Sequence, residues 1–351
     1  MNRYTAALTR ELELVAGDLR PRTIFFGGGT PSILNLRQWE QLLAAFARLG
    51  LLGAAEWTIE CNPATVSLEK ARLWRDAGVN RVSMGVQSLD EGLLDRLGRV
   101  HDRSMVFKSF DLFRQAGFES INIDLMFAIP GQSMEIWKST LREALSMQSE
   151  HLSSYEVIYE EDTALYQQLQ AGEIDVNDDL ACDMYEALVD ESASAGMIQY
   201  EVANFARTDP AHSGEFPSRA CQHNVNYWRG GGFHGLGPSA TGYTHGQRTK
   251  NWSNTQLYCE QLESGHRAIE RTETLTPLAR AGETAAFGLR VRPGWPFKAF
   301  RDVTGFDLRA EWADELSELV ARGWAAQNAE RFQLTANGLR FADAAAEMML
   351  R

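Results

Sequence analysis

The sequence predicts an α/β fold: a parallel βα sheet or barrel with a ligand-holding interior, followed by a small helical, winged-helix-like domain. Three observations carry this. Strand-like and helix-like stretches alternate from Thr23 onward. Polar and apolar residues alternate within the strands, and the regularity changes after Phe205 and again near residue 275.

Residues 1–19 read as an amphipathic helix, with Tyr4, Leu8, Leu12 and Val15 at helical spacing. A chain that opens on a helix feeding a Gly-rich βα unit is expected to lack a strand that belongs before it. The first strand, Thr23–Phe26, runs into Gly27-Gly28-Gly29-Thr30-Pro31. Glycine lets backbone N–H groups approach a ligand and adopt positive φ, and such turns at strand C-terminal ends are where α/β folds bind ligands. No Gly-Lys-Ser/Thr follows and there is no G-x-G-x-x-G, so neither phosphate-loop nor dinucleotide motif applies. The alternative is a tight structural turn.

Further strands are expected at Trp57–Cys61, Arg81–Val86, Ser120–Phe127, Leu152–Ile158 and Gln199–Phe205. Helices are expected at Leu36–Leu49, Leu68–Ala77, Asp102–Ala116 and Met134–Met147. The pairs Ala77-Gly78, Ala116-Gly117 and Ala195-Gly196 read as helix C-caps. One strand face carries Trp57, Ile59, Cys61, Val82, Met84, Val86, Ile121, Ile123, Leu125 and Phe127. The other carries Thr58, Glu60, Asn62, Ser83, Gly85, Gln87, Asn122 and Asp124. Helices must cover the apolar face, so the polar one turns inward. Ordinary barrels fill their interior with branched apolar residues, so a polar interior implies an open, ligand-holding one. Glu60, Gln87 and Asp124 then need partners there, either a ligand or one another.

Residues 207–250 read as irregular and rich in Gly, Ser, Asn and His, with Cys221-Gln222-His223-Asn224-Val225-Asn226-Tyr227-Trp228 at their centre. In the tail, helices near 277–288, 297–301 and 308–322 precede a hairpin at 323–335 and a last helix, Ala336–Leu350. The expected division is a barrel core at 1–206, an irregular segment at 207–274 and a C-terminal domain at 275–351. A lid or docking role suits this tail better than DNA binding, because Lys+Arg 34 against Asp+Glu 47 leaves the chain at −13. That charge argues against nucleic acid or an acidic membrane surface as partner. No apolar run is long enough to span a membrane, Met1-Asn2-Arg3-Tyr4 starts no secretion signal, and the four widely spaced cysteines suit a reduced, cytoplasmic protein.

Five ordered motifs carry a resemblance over nearly the whole chain. They are Gly27-Gly28-Gly29-Thr30-Pro31, Glu60-Cys61-Asn62-Pro63, Gly85-Val86-Gln87-Ser88, Leu97-Gly98-Arg99-Val100-His101 and the run from Asn122 to Gly131. Together they resemble the oxygen-independent coproporphyrinogen III oxidase family of radical S-adenosylmethionine (SAM) proteins. His223-Asn224-x-x-Tyr227-Trp228 resembles the H-N-x-x-Y-W signature of that family's heme-chaperone branch. The resemblance implies a partial (βα)₆ barrel with a C-terminal helical and winged-helix-like region. It implies that Gly28, Gly29 and Thr30 line the amino-acid end of SAM and that Glu60 accepts from its ammonium group. Gln87 and Asp124 would bond the ribose hydroxyls or amino group, and Arg99 the carboxylate. His223, with Asn224, Tyr227 and Trp228, would form the heme site; a His satisfied within a structural loop is the alternative.

One family feature is missing. The C-x-x-x-C-x-x-C loop that holds a 4Fe-4S cluster does not occur, and Cys61, Cys182, Cys221 and Cys259 are not expected to replace it. An N-terminally shortened chain accounts for this better than true loss, because the SAM-side residues remain. The expected function is heme binding and delivery to an acceptor protein. The alternative is oxidative decarboxylation of coproporphyrinogen III, which would need that cluster. A cluster-free SAM- or porphyrin-binding regulator is a third reading.

Overall fold

A computed structural model describes residues 1–161 and 163–351. The chain divides into two compact units. One comprises Met1–Ile24, Leu34–Glu56 and Cys221–Arg351; the other comprises Phe25–Ile33 and Trp57–Ala220. No helix among the described residues is long and apolar enough to cross a membrane.

The second unit is built on a seven-stranded sheet, apart from the strand-start residues Thr23, Ile24 and Glu56, which fall in the first. Its strands are β1 (Thr23–Phe26), β2 (Glu56–Cys61), β3 (Arg81–Gln87), β4 (Ile121–Phe127), β5 (His151–Glu156), β6 (Ile198–Gln199) and β7 (Asn204–Ala206), in the order β1-β2-β3-β4-β5-β7-β6. β2, β3, β4 and β5 pair in parallel, as the strand–helix alternation predicts. Local chemistry sets the helix ends: Ser67, Asp90, Asp102 and Ser133 each cap a helix with a side-chain oxygen. Ala77, Ala116 and Ala195 end theirs before glycines of positive φ, as expected. Trp57, Ile59, Val82, Met84, Ile121, Ile123 and Leu125 are buried on one face of the sheet, and Trp74, Phe113 and Trp137 of the flanking helices are buried too.

The sixth strand departs from expectation. Gln199–Phe205 is not continuous: it folds into a hairpin of β6 and β7, and β7 runs antiparallel to β5. Glu201 is the reason, since its Oε1 accepts from the Ala203 N–H at 2.7 Å and the Asn204 amide at 2.6 Å, tightening a turn at 200–203.

In the first unit, the helix Asn2–Val15 continues as a 3₁₀ turn to Asp18. The stretch read as irregular contains regular structure: a helix at Gln222–Trp228 and the three-stranded antiparallel sheet of β8 (Thr241–Thr244), β9 (Gln247–Asn251) and β10 (Ile269–Thr274). Its strands carry Thr, Lys, Arg, Gln and Glu on exposed positions, so hydrophobic alternation could not reveal them. The tail holds helices Pro277–Leu289, Phe297–Thr304, Leu308–Glu311 and Ala313–Ala321, then the expected hairpin of β12 (Ala325–Gln327) and β13 (Arg331–Leu334). A short β11 (Trp295–Pro296) joins that hairpin as a third strand. The last helix splits into Ala336–Leu339 and Ala342–Glu347. Between them Phe341 leaves helical geometry and stacks on Trp324 at 4.5 Å.

Candidate functional site

The polar face of the sheet forms two rows. Strand register aligns Glu60, Ser83, Asn122 and His151 in one, and Gly85, Asp124, Ser153 and Asn204 in the next. Side chains link the rows. Ser83 Oγ donates to Asp124 Oδ2 at 3.0 Å, and the Asn122 amide donates to Ser83 Oγ at 2.7 Å and to Asp124 Oδ1 at 2.6 Å. Ser153 Oγ donates to Asn204 Oδ1 at 2.6 Å. His151 is fully buried between Asn122 Oδ1 (2.6 Å from Nδ1) and the Tyr200 hydroxyl (2.7 Å from Nε2). The amide oxygen can only accept, so Nδ1 carries the proton and the ring is neutral; burial and the nearby Arg81 push its pKa well below the usual histidine value. This network was legible only in part, because His151 lies one residue before the expected strand Leu152–Ile158, and Tyr200, Glu201 and Asn204 lie in a stretch expected as one strand that folds as a hairpin.

Within this frame Asp124 lies near enough to Glu60 to act on its charge, and the Gln87 amide folds over Gly85, the register partner of Asp124. The Gly28 N–H donates to Glu60 Oε2 at 3.0 Å, which ties the glycine turn to β2. Gly28 and Gly29 have φ of 72° and 65°, conformations that glycine adopts without strain. At Gly27 a side chain would meet the Phe25 ring at 2.5 Å and Glu60 Oε1 at 3.0 Å. Thr30 closes the turn by accepting from the Ile33 N–H. Glu60 holds its proton more tightly than an ordinary glutamate, first because of burial and then because Asp124 lies nearby. Asp124 is pushed the same way by burial, although Ser83 and Asn122 donate to it. Two acidic groups are thus close together: no hydrogen bond joins them, and Asp124 adds to the cost of ionising Glu60. Arg99, half-buried, has its pKa lowered by burial and partly restored by Asp124.

In the first unit, the helix Gln222–Trp228 is pinned at its start by Glu56. The Gln222 N–H donates to Glu56 Oε2 and the His223 N–H to Glu56 Oε1, both at 2.9 Å. His223 Nδ1 lies 2.9 Å from Thr23 Oγ1, and Nε2 lies 2.9 Å from the Tyr227 hydroxyl, one helical turn on. Tyr227 meets Phe233 edge-on at 4.4 Å, and burial raises its pKa. Asn224 and Trp228 share the next face of the helix and are half-buried. Glu56 and Thr23 were missed in the sequence, where a lone charge and a lone hydroxyl at strand starts give no signal.

The four cysteines do not assemble a cluster site. Cys61 is buried with its Sγ toward the Ile59 carbonyl at 3.6 Å, and burial raises its pKa. Cys182 is exposed, Cys221 Sγ faces Glu56, and Cys259 is buried in an apolar cluster with Ala7 and Leu262. Among the described residues no group of three or more His, Cys, Asp and Glu is placed to hold a metal ion.

Residues 2–144 match the radical SAM superfamily, and residues 275–341 match the HemN C-terminal domain. The heme chaperone HemW of Lactococcus lactis is 33% identical over 331 residues, 94% of this chain and 84% of that protein. The heme chaperone HemW of Bacillus subtilis is 32% identical over 344 residues, 96% of this chain and 88% of that protein. Among solved structures, the radical SAM enzyme coproporphyrinogen III oxidase (HemN) of Escherichia coli superposes with a TM-score of 0.83, covering 99% of this chain and 82% of that one. Its 20% identity makes that likeness one of fold. By these relatives and these two domains, the chain belongs to the HemW heme-chaperone family of radical SAM proteins.

Proposed function

We propose that this chain binds heme and hands it to an acceptor protein, on a scaffold that also holds SAM. The observation that carries the heme reading is the fixed helix of His223 and Tyr227, together with the kinship to proteins named heme chaperones. Heme is the cargo here. Iron takes an unprotonated imidazole nitrogen, and the best ligands have their second nitrogen held by a hydrogen bond. His223 fits this with Nδ1–H donating to Thr23 Oγ1 and Nε2 offered to iron. Nε2 is now engaged by the Tyr227 hydroxyl, so binding has to displace that contact. Phe233, Tyr243 and Trp228 supply aromatic surface in the same unit. Asn224 is a further candidate contact.

SAM carries an ammonium and a sulfonium, and the crowded Glu60 and Asp124 suit a cation. Glu60 would take the ammonium, with Gly28, Gly29 and Thr30 along the amino-acid end and Arg99 on its carboxylate. Gln87 and Asp124 would take the ribose hydroxyls. SAM, when bound to a cluster, supplies a radical in this superfamily; this chain's cysteines do not fit such a cluster, so no radical step is derived for it.

A hemin titration tests the reading. Wild type is expected to shift the Soret band and saturate. His223→Ala should weaken binding about tenfold, the equivalent of roughly 1.4 kcal/mol. Tyr227→Phe, which frees Nε2, should bind at least as tightly as wild type. Identical spectra for wild type and His223→Ala would remove His223 from the heme site.

A further inference from the structure

We propose that His101 is a positioning residue: it holds the reversed-backbone turn that aims Gln87 into the polar interior, and so ties Gln87 to the segment carrying Arg99. The functional part of this rests on the SAM reading above; the structural part does not.

Gln87 ends β3 with φ of 65°, a conformation that a residue with a side chain adopts only under strain. The Ser88 N–H donates to the Val86 carbonyl at 2.8 Å, closing a three-residue turn about Gln87 of the rare, strained kind. The register slips at the same place, Gly85 pairing with Asp124 but Gln87 with Leu125. As a result the Gln87 amide folds back over Gly85, with Nε2 3.1 Å from where a side chain at Gly85 would begin. Such strain persists only where neighbours enforce it.

His101 is that neighbour. Its ring is buried, and Nε2 lies 3.0 Å from the Val86 carbonyl, the same oxygen that accepts from Ser88. A carbonyl only accepts, so Nε2 carries the proton. Nδ1 is then a bare acceptor, buried and without a hydrogen-bond partner. Burial lowers the pKa of His101, which keeps this neutral form. The ring thus directs its one N–H at the carbonyl of the strained turn. Sequence spacing completes the link. Arg99, two residues before His101, is half-buried and close enough for its charge to act on the His101 ring, while Val100 between them is 75% exposed.

The test compares His101→Phe, which keeps a ring but no donor, with His101→Gln, whose amide nitrogen sits as many bonds from the backbone as Nε2. SAM affinity is measured by calorimetry, thermal stability by unfolding, and the Gln87 backbone by crystallography. His101→Phe should bind SAM about tenfold more weakly and show Gln87 with negative φ, while His101→Gln stays within about threefold of wild type. His101→Asn, too short to reach Val86, replaces the Phe variant should that one fail to fold. If wild type binds no SAM, the SAM reading fails while the Gln87 backbone still decides the turn. Gln87 keeping its positive φ in the Phe or Asn variant overturns the proposal, as does equal loss of SAM affinity in the Gln variant.

Discussion

Glu11→Ala is expected to destabilise the first unit by about 4 kcal/mol, read as a fall in the denaturant midpoint. Glu11 is fully buried on the helix Asn2–Val15. Its Oε1 accepts from Asn251 at 2.6 Å; its Oε2 accepts from the Gly237 N–H and the Tyr258 hydroxyl, both at 2.7 Å. Removing the carboxylate leaves three buried donors unpaired, each at a cost of about 1–3 kcal/mol before relaxation. Burial raises the Glu11 pKa despite those donors. Glu11→Gln should therefore cost less than Glu11→Ala, since it keeps one accepting oxygen and buries no charge. A loss below about 1 kcal/mol in Glu11→Ala would mean that water reaches the site and that the network contributes little.

Glu60→Gln is expected to separate stability from binding. The ligand-free protein should gain stability, while SAM binding falls roughly 10- to 100-fold, the worth of a hydrogen bond to a charged group. The sign follows from the pKa. Folding raises the Glu60 pKa through burial and the proximity of Asp124, so the folded state binds the proton more tightly than the unfolded one. The ionised carboxylate is thus a destabilising element above the folded pKa, and the penalty lessens as pH falls toward the ordinary glutamate value. Glutamine has no such dependence. The stability gap between variant and wild type should be widest near about pH 8 and close toward about pH 4. A gap that widens on acidification would mean that Glu60 is paired with a cation in the folded protein.

The parallel core was legible because its strands obey a period of two against an apolar helix layer. The same alternation placed Glu60, Gln87 and Asp124 on one face. Glu11 was hidden for the opposite reason: it lies in the buried stripe with Ala7 and Val15, where a charge reads as solvent-facing until its three donors arrive from residues 237, 251 and 258. β9 and β10 were hidden because strands carrying polar residues at mostly exposed positions give no hydrophobic signal. The hairpin at 198–206 was hidden because Glu201 and Asn204 act through their side chains on the local backbone. Gln87 could be named from its motif, yet its positive φ could not, since that conformation depends on His101 fourteen residues away.

The most direct measurement of the account is the rate at which the hemin-loaded chain loses its Soret signal to a hemeless acceptor hemoprotein, followed by stopped flow. A chaperone that hands heme over by contact gives a transfer rate that rises with acceptor concentration, and one that His223→Ala alters. No hemin bound, or a transfer rate independent of acceptor and equal to spontaneous release, would contradict it.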